Sequence, residues 1–400
     1  MKTKWRVLAL MTGAQAGASV VQQALGSLSP TFVATFALSK TQLGAMFTAM
    51  MVGSAAFTAL AGVLTDRWGE LRLLLLSGAL MAGALLALTL VHAYWWIVAM
   101  IAVFGAAYAA STPAGGRAIL SWFDRDRGLA MGIRQTGVPI GGTLGAIMLP
   151  LVAHWGGYGA AFVFAAALII VTTLIAYVGY PGSREERAAP QSFAALARGM
   201  RVLARDPRLI GVTLTCMILV SIQLALNAFV TVTAVTVVGT SAALGAAALA
   251  LAQLSAAVGR LWWGFASDRL FGGDRQLPFA IICALASLSA ATLGVVGHGM
   301  VATLVIATAV LGFSGAGWNG LMAAALAEVG GVERAASAIG LALTAVFGTS
   351  ALAPLAFGAL ADHFSLHEAW LLTAALALVG MVPALWLRLR LRKRGAPAEG

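Results

Sequence analysis

Charge is what this sequence has least of. Only 10% of its 400 residues are Asp, Glu, Lys or Arg, against about 25% in an ordinary soluble domain. A soluble fold of this length needs a charged shell, so the shortage excludes one. Cysteine is nearly absent as well. Cys216 and Cys283 are the only two; both stand inside apolar runs, where they read as small hydrophobes and offer neither a disulfide framework nor a metal site. Carboxylates are missing from the middle of every long apolar run. The Gly-x-x-x-x-Gly-Lys-Ser/Thr loop that cradles nucleotide phosphates does not occur, and no polar stretch is long enough to build a domain around one. No cofactor is expected.

What is present is apolar length. Hydrophobic residues make up 60% of the chain, and mean hydropathy is +0.92. Twelve runs can be marked, at 8–35, 41–63, 73–91, 94–119, 128–152, 159–180, 209–236, 243–265, 277–297, 301–327, 336–359 and 367–388, each near the roughly 20 residues that cross a bilayer as a helix. The expected fold class is therefore an all-α integral membrane protein with twelve transmembrane helices. An even number of spans puts both ends on one side.

The net charge of +11 is not spread evenly. Nearly all Lys and Arg lie in 64–72, 120–127, 181–208, 266–276, 328–335 and the two ends, while the opposite loops hold only Lys40. By the positive-inside rule the basic side, with both termini, is expected to be cytoplasmic, in a cell inner membrane. The basic residues are then partners for lipid headgroups rather than for nucleic acid. The start, Met1 to Arg6, resembles a signal peptide, but the apolar stretch behind it is too long, so it reads as an uncleaved first span. Segment 181–208 divides the chain near its middle. It carries Pro181, Gly182 and Pro190, and 193–203 has the spacing of an amphipathic surface helix. The expected organisation is a six-helix bundle over 1–180, this linker, a second six-helix bundle over 209–388 and a basic tail over 389–400.

The two halves repeat each other. Gly62-Val-Leu-Thr-Asp66-Arg67 follows the second run, and Gly264-Phe-Ala-Ser-Asp268-Arg269 follows the eighth. Arg127-Gly-Leu-Ala-Met-Gly132 opens the fifth run, and Arg334-Ala-Ala-Ser-Ala-Ile-Gly340 opens the eleventh. Phe162 and Trp370 enter the sixth and twelfth. With these motifs the sequence resembles the major facilitator superfamily along essentially its whole length. The loop from Gly62 to Arg72 is similar to that family's Gly-x-x-x-Asp-Arg-x-Gly signature, departing from it where Glu70 and Leu71 replace basic residues. The resemblance implies two pseudo-symmetric six-helix bundles that rock about a central site. It also implies gating roles for Asp66, Arg67, Arg72, Asp268 and Arg269, and physics agrees that a loop carboxylate can accept from helix amides and pair with arginine.

Inside the runs the ionisable inventory is one-sided. Arg117, Arg134 and Arg260 lie within spans four, five and eight, and no carboxylate lies with them. An ionisable residue costs about 2.5–3.5 kcal/mol at the bilayer centre even on lenient scales, so each is a functional candidate. A cation without a resident counter-ion favours an anionic ligand, and the guanidinium fork suits carboxylate or phosphate. Each arginine also lies close enough to the basic side to snorkel or pair with loop acids. Gln253 precedes Arg260 by two turns on one face. The stretch Gly259-Arg260-Leu-Trp262-Trp263-Gly264 resembles span eight of oxalate/formate antiporters and monocarboxylate carriers, in which the corresponding arginine binds carboxylate. Span eleven, however, lacks the basic residue of those antiporters.

Span five points two ways. Trp122-Phe123, Arg127-Gly-Leu-Ala-Met-Gly132 and Gly141-Gly142 are similar to organic-anion carriers, whereas Gly137-Val-Pro139-Ile-Gly141-Gly142 resembles an element of drug/proton antiporters. Arg134, Gly137, Gly141 and Gly145 share one face, a small-residue stripe for close helix packing. Uncharged polar residues trace a cavity: Gln15, Ser19 and Gln22 on span one, Tyr108 on span four, Gln223 and Asn227 on span seven, Trp318 and Asn319 on span ten. Helical spacing puts Tyr108 and Arg117 on opposite faces unless Pro113 turns one. His92, His154, His298, His363 and His367 all fall in or near the loops expected outside. The reading is a monomeric secondary or facilitative carrier of a small organic anion, a monocarboxylate first, working by alternating access. The alternative is a proton-coupled exporter of drugs or metabolites.

Overall fold

The computed structural model describes residues 2–90, 93–123, 127–182, 205–322, 324–326, 328, 342, 345–346, 348 and 350–395. Every regular element among them is helical. In chain order they are α1 (Lys2–Ala24), a 3-10 turn (Leu25–Leu28), α2 (Ser29–Phe36), α3 (Lys40–Trp68), α4 (Glu70–Ala87), α5 (Tyr94–Ala109), α6 (Ser111–Leu120), α7 (Arg127–Gly179), α8 (Pro207–Thr236), α9 (Ala242–Arg269), α10 (Gln276–Val295), α11 (Val301–Gly315), α12 (Ala353–His363) and α13 (Leu366–Gly395). Eight helices among the described residues are long and apolar enough to cross a membrane. One of them, α7, carries spans five and six, parted at Gly157, whose φ of 73° favours glycine.

The helix boundaries follow local chemistry. Ser39 and Gln42 form a capping box at the start of α3. Asp206 caps α8 ahead of Pro207, and Ser241 caps α9. Two spans break near their middle. Span one passes through the 3-10 turn before Pro30 restarts it as α2. Span four breaks at Ala110, just before Pro113, whose missing N–H cannot continue the ladder. Span eleven enters the described region only in part, ending in α12, and the linker residues 183–204, with the expected amphipathic helix, lie outside it.

Within the first half, α1 packs on α7, α3 on α5, and α4 on both α5 and α7; within the second, α10 packs on α13 and α9 on α11. The glycine stripe of span five is what lets α1 approach. A Cβ at Gly141 would stand 2.1 Å from the Ala16 carbonyl oxygen, and one at Gly145 would stand 2.3 Å from that of Val20. Between the halves, span one meets α8, α3 meets α12 and α7 meets α9. These seams carry the trans-half hydrogen bonds, which run from the face opposite the chain termini to the middle of the molecule.

Candidate functional site

Arg134 is 0% exposed. Its Nη2 donates to Gln15 Oε1 at 2.9 Å and to the carbonyls of Ser111 at 2.9 Å and Thr112 at 3.2 Å. Those carbonyls stand where span four is broken. Gly115 leaves space for the guanidinium, since a Cβ there would lie 2.7 Å from Arg134 Nε. Gln15 carries the network onward: its Nε2 donates to Tyr108 Oη at 3.1 Å and to Ser19 Oγ at 3.2 Å, and the two hydroxyls are 3.2 Å apart. Tyr108 thus sits with Arg134 and apart from Arg117. Arg134 Nε and Nη1 are buried with no protein partner.

Arg260 enters from the other half. Its Nη1 donates to the Gln135 carbonyl at 3.2 Å, and its Nε is buried without a partner. Among the described residues neither arginine pairs with a carboxylate. Arg134 is thus a desolvated cation, costing several kcal/mol on burial, Arg260 is half-buried beside it, and three of their guanidinium nitrogens are unmet.

Farther from the termini lies a layer of amides. Gln23 Oε1 accepts from Asn227 Nδ2 at 2.7 Å and from Gln253 Nε2 at 3.3 Å, and Gln253 Nε2 also donates to Asn227 Oδ1 at 2.9 Å. The trio joins spans one, seven and eight, roughly 12 Å along α1 from Gln15 at 1.5 Å per residue. Helical spacing had pointed to Gln22; its neighbour Gln23 makes these bonds, and the buried Gln22 Oε1 has no partner. Gln223 is buried one turn from Asn227 on α8, outside the trio. Trp318 is buried with its indole N–H unpartnered, and Asn319 donates locally to the Ala316 carbonyl at 3.3 Å.

Toward the termini the charges pair. Arg117 Nε lies 3.6 Å from Glu70 Oε2, and its Nη1 donates to the Thr65 carbonyl at 3.2 Å. Tyr180 donates to Glu70 Oε1 at 2.9 Å. Glu70, the residue that departs from the signature, is buried, so Arg117 belongs to a loop-end ion pair rather than to the Arg134 cluster. In the second half Asp268 accepts from Arg275 Nη1 at 2.5 Å, and Glu328 accepts from the other two guanidinium nitrogens of Arg275. The sequence reading had no role for Tyr180 or Arg275. For Arg275 the available signal was the Gly-x-x-x-Asp frame, with a basic residue seven positions after Asp268; no spacing marked Tyr180. Arg67, Arg72 and Arg269 are exposed; the side chain of Asp66 lies outside the described residues.

Membrane-length helices in two repeated halves, with a polar centre built from both, define a transmembrane carrier rather than an enzyme. The chain belongs to the Major Facilitator Superfamily, whose defining pattern matches residues 11–302. An uncharacterised transporter of this superfamily from Mycobacterium tuberculosis (strain CDC 1551 / Oshkosh) is 32% identical over 331 residues, covering 80% of this chain and 72% of the relative. Its counterpart in strain ATCC 25618 / H37Rv is 31% identical over the same length. Among solved structures, a bacterial homologue of the human lysosomal transporter Spinster, inward-facing and unoccupied, superposes with a TM-score of 0.80 at 16% identity, covering 99% of each chain. A nucleoside transporter gives 0.78 at 16% identity, covering 96% of this chain and 99% of its own. At such identities the likeness is one of fold, with twelve transmembrane helices in two six-helix bundles.

Proposed function

We propose that the chain carries a small organic anion, a monocarboxylate first among candidates, by alternating access between the halves. One observation carries this reading: Arg134 of span five and Arg260 of span eight bring unmet guanidinium nitrogens from opposite halves, Arg260 bonding the carbonyl of Gln135 next to Arg134, with no carboxylate paired to either among the described residues. A bound anion supplies the missing acceptor and lowers the cost of burying Arg134. Tyr108, Gln15 and Ser19 orient it, and the Gln23, Asn227 and Gln253 amides roof the site. Gln22, Gln223, Trp318 and Asn319 line the path at its edges. Asp66, Arg67, Arg72, Asp268 and Arg269, with Arg117 and Arg275, belong to clasps on the side of the termini. With the basic loops in the cytoplasm, the seams seen here close the outer side and the protein faces inward.

Uptake into proteoliposomes from a panel of labelled monocarboxylates, dicarboxylates and lipophilic cations, with and without a pH gradient, tests this. Monocarboxylate uptake should fall at least tenfold in Arg260→Ala and Arg134→Ala, roughly one charge-assisted hydrogen bond. Uptake unchanged in both variants removes the site, and movement of cations alone removes the anion reading.

A further inference from the structure

The Gly-x-x-x-Asp spacing of the two loops near the termini occurs a third time, on the other side of the molecule. It is Gly358-Ala-Leu-Ala-Asp362, at the end of α12. A Cβ on Gly358 would stand 2.2 Å from the Lys40 carbonyl oxygen and 3.0 Å from the Thr41 nitrogen, so glycine is what lets α12 lie against the first turn of α3. The approach is reciprocal: a Cβ on Gly44 of α3 would stand 2.2 Å from the Pro354 carbonyl oxygen. One turn beyond Gly358, on the same face, Asp362 reaches across. Its Oδ1 accepts from the Lys40 N–H at 3.0 Å, its Oδ2 accepts from the Thr41 N–H and hydroxyl, each at 2.7 Å, and Lys40 Nζ lies 3.6 Å away. The carboxylate therefore sits on the free amides at the positive end of a 29-residue helix that belongs to the other half.

We propose that Gly358 and Asp362 form a latch that holds the halves together on the face opposite the termini and releases when the cavity opens there. The bonds exist only while that face is closed, so they stabilise the present conformation and contribute nothing to the alternate one. The latch acts whatever molecule is carried. Its other ionisable surroundings are few. Lys40 comes from α3, His363 follows on α12, and His367 and Glu368 stand at the start of α13, where they bond the Gly294 carbonyl and Ser365; α8 brings only Arg208, at its far end. Partial burial works against the charge of Asp362, and the hydrogen bonds from Thr41 and Lys40 outweigh it, leaving its pKa below the usual carboxylate value. The latch is thus charged at neutral pH and acts as a constant bias; it loosens only as pH falls through that lowered value.

Ser29 reports on the seam, because it is 0% exposed and its hydroxyl donates across the halves to the Ala228 carbonyl. Carrier bearing Ser29→Cys, in lipid nanodiscs, is treated with a membrane-impermeant maleimide; buried Cys216 and Cys283 set the background. Asp362→Asn should speed labelling about tenfold, the loss of one charge-assisted hydrogen bond, Thr41→Val should give a smaller increase, and Lys40→Ala should stay within about twofold because its ion pair is solvated. A folded Asp362→Asn carrier that labels at the parental rate overturns the latch, as does an equal acceleration by Lys40→Ala. Where Asp362→Asn does not fold, Thr41→Val decides, and an unchanged rate in it overturns the proposal.

Discussion

Replacing Gly26 by alanine should drive the carrier out of the conformation described here. Gly26 lies in the 3-10 turn of span one, and a Cβ there would stand 1.6 Å from the Asn227 carbonyl oxygen and 2.8 Å from its carbon. That is about 1.4 Å inside the closest approach real Cβ atoms make, and the obstacle is backbone, which cannot rotate aside. Overpacking of this kind costs about 1–3 kcal/mol, equivalent to roughly a 5- to 150-fold change in an equilibrium. The turn and α8 belong to different halves, so the strain is relieved by parting them. The Gln23–Asn227 and Ser29–Ala228 bonds are then lost with it. Spin labels at Thr35→Cys and Ala243→Cys, both exposed positions on opposite halves, report the change by double electron–electron resonance as a long-distance population that grows in Gly26→Ala. A folded Gly26→Ala carrier with an unaltered distance distribution would refute the claim that this seam closes in only one state.

Further expectations rest on single contacts. Gly115→Ala presses on the Arg134 guanidinium, 2.7 Å from Nε, and should weaken anion binding about tenfold by calorimetry with little loss of thermal stability. Tyr180→Phe removes the donor to buried Glu70 and should destabilise the folded carrier by about 1.5–3 kcal/mol, seen as a lower unfolding temperature in detergent. Asp274 works against partial burial, but Arg388 and the amides of Leu277 and Gln276 hold its pKa below the usual carboxylate value. Its stabilisation is therefore complete above that usual value and is lost as pH falls through the lowered one. Asp274→Asn should unfold earlier than the parent at pH 7, by about 1–2 kcal/mol, and the gap should close only as pH falls below the usual carboxylate range.

Much of the architecture was legible because apolar length, loop charge and the duplicated Gly-x-x-x-Asp-Arg loop are properties of the chain in one dimension. Sites were harder to read, for identifiable reasons. Gln22 and Gln23 both fall within a broad helical stripe, and which of them meets Asn227 is set by how span one packs on α8, which spacing along one helix does not display. Tyr108 was set against Arg117 by counting residues along span four, but its hydroxyl meets Gln15 of span one, a contact between helices that such counting cannot rank. Glu70 looked like a defect in a basic signature; its burial against Arg117 and Tyr180 depends on three segments meeting. Asp362 stood alone at a span end, and its significance lies in the α3 amides it faces, which sequence spacing does not display.

The amide layer of Gln23, Asn227 and Gln253 has an electrical consequence. Every elementary charge moved across 100 mV costs about 2.3 kcal/mol, yet these three side chains are neutral, and separating them displaces no net charge along the membrane normal. That barrier is therefore blind to voltage and to ionic strength. Any dependence of turnover on membrane potential must arise from charged groups elsewhere, such as Arg134, Arg260 or the Asp362 pairing, and not from this layer.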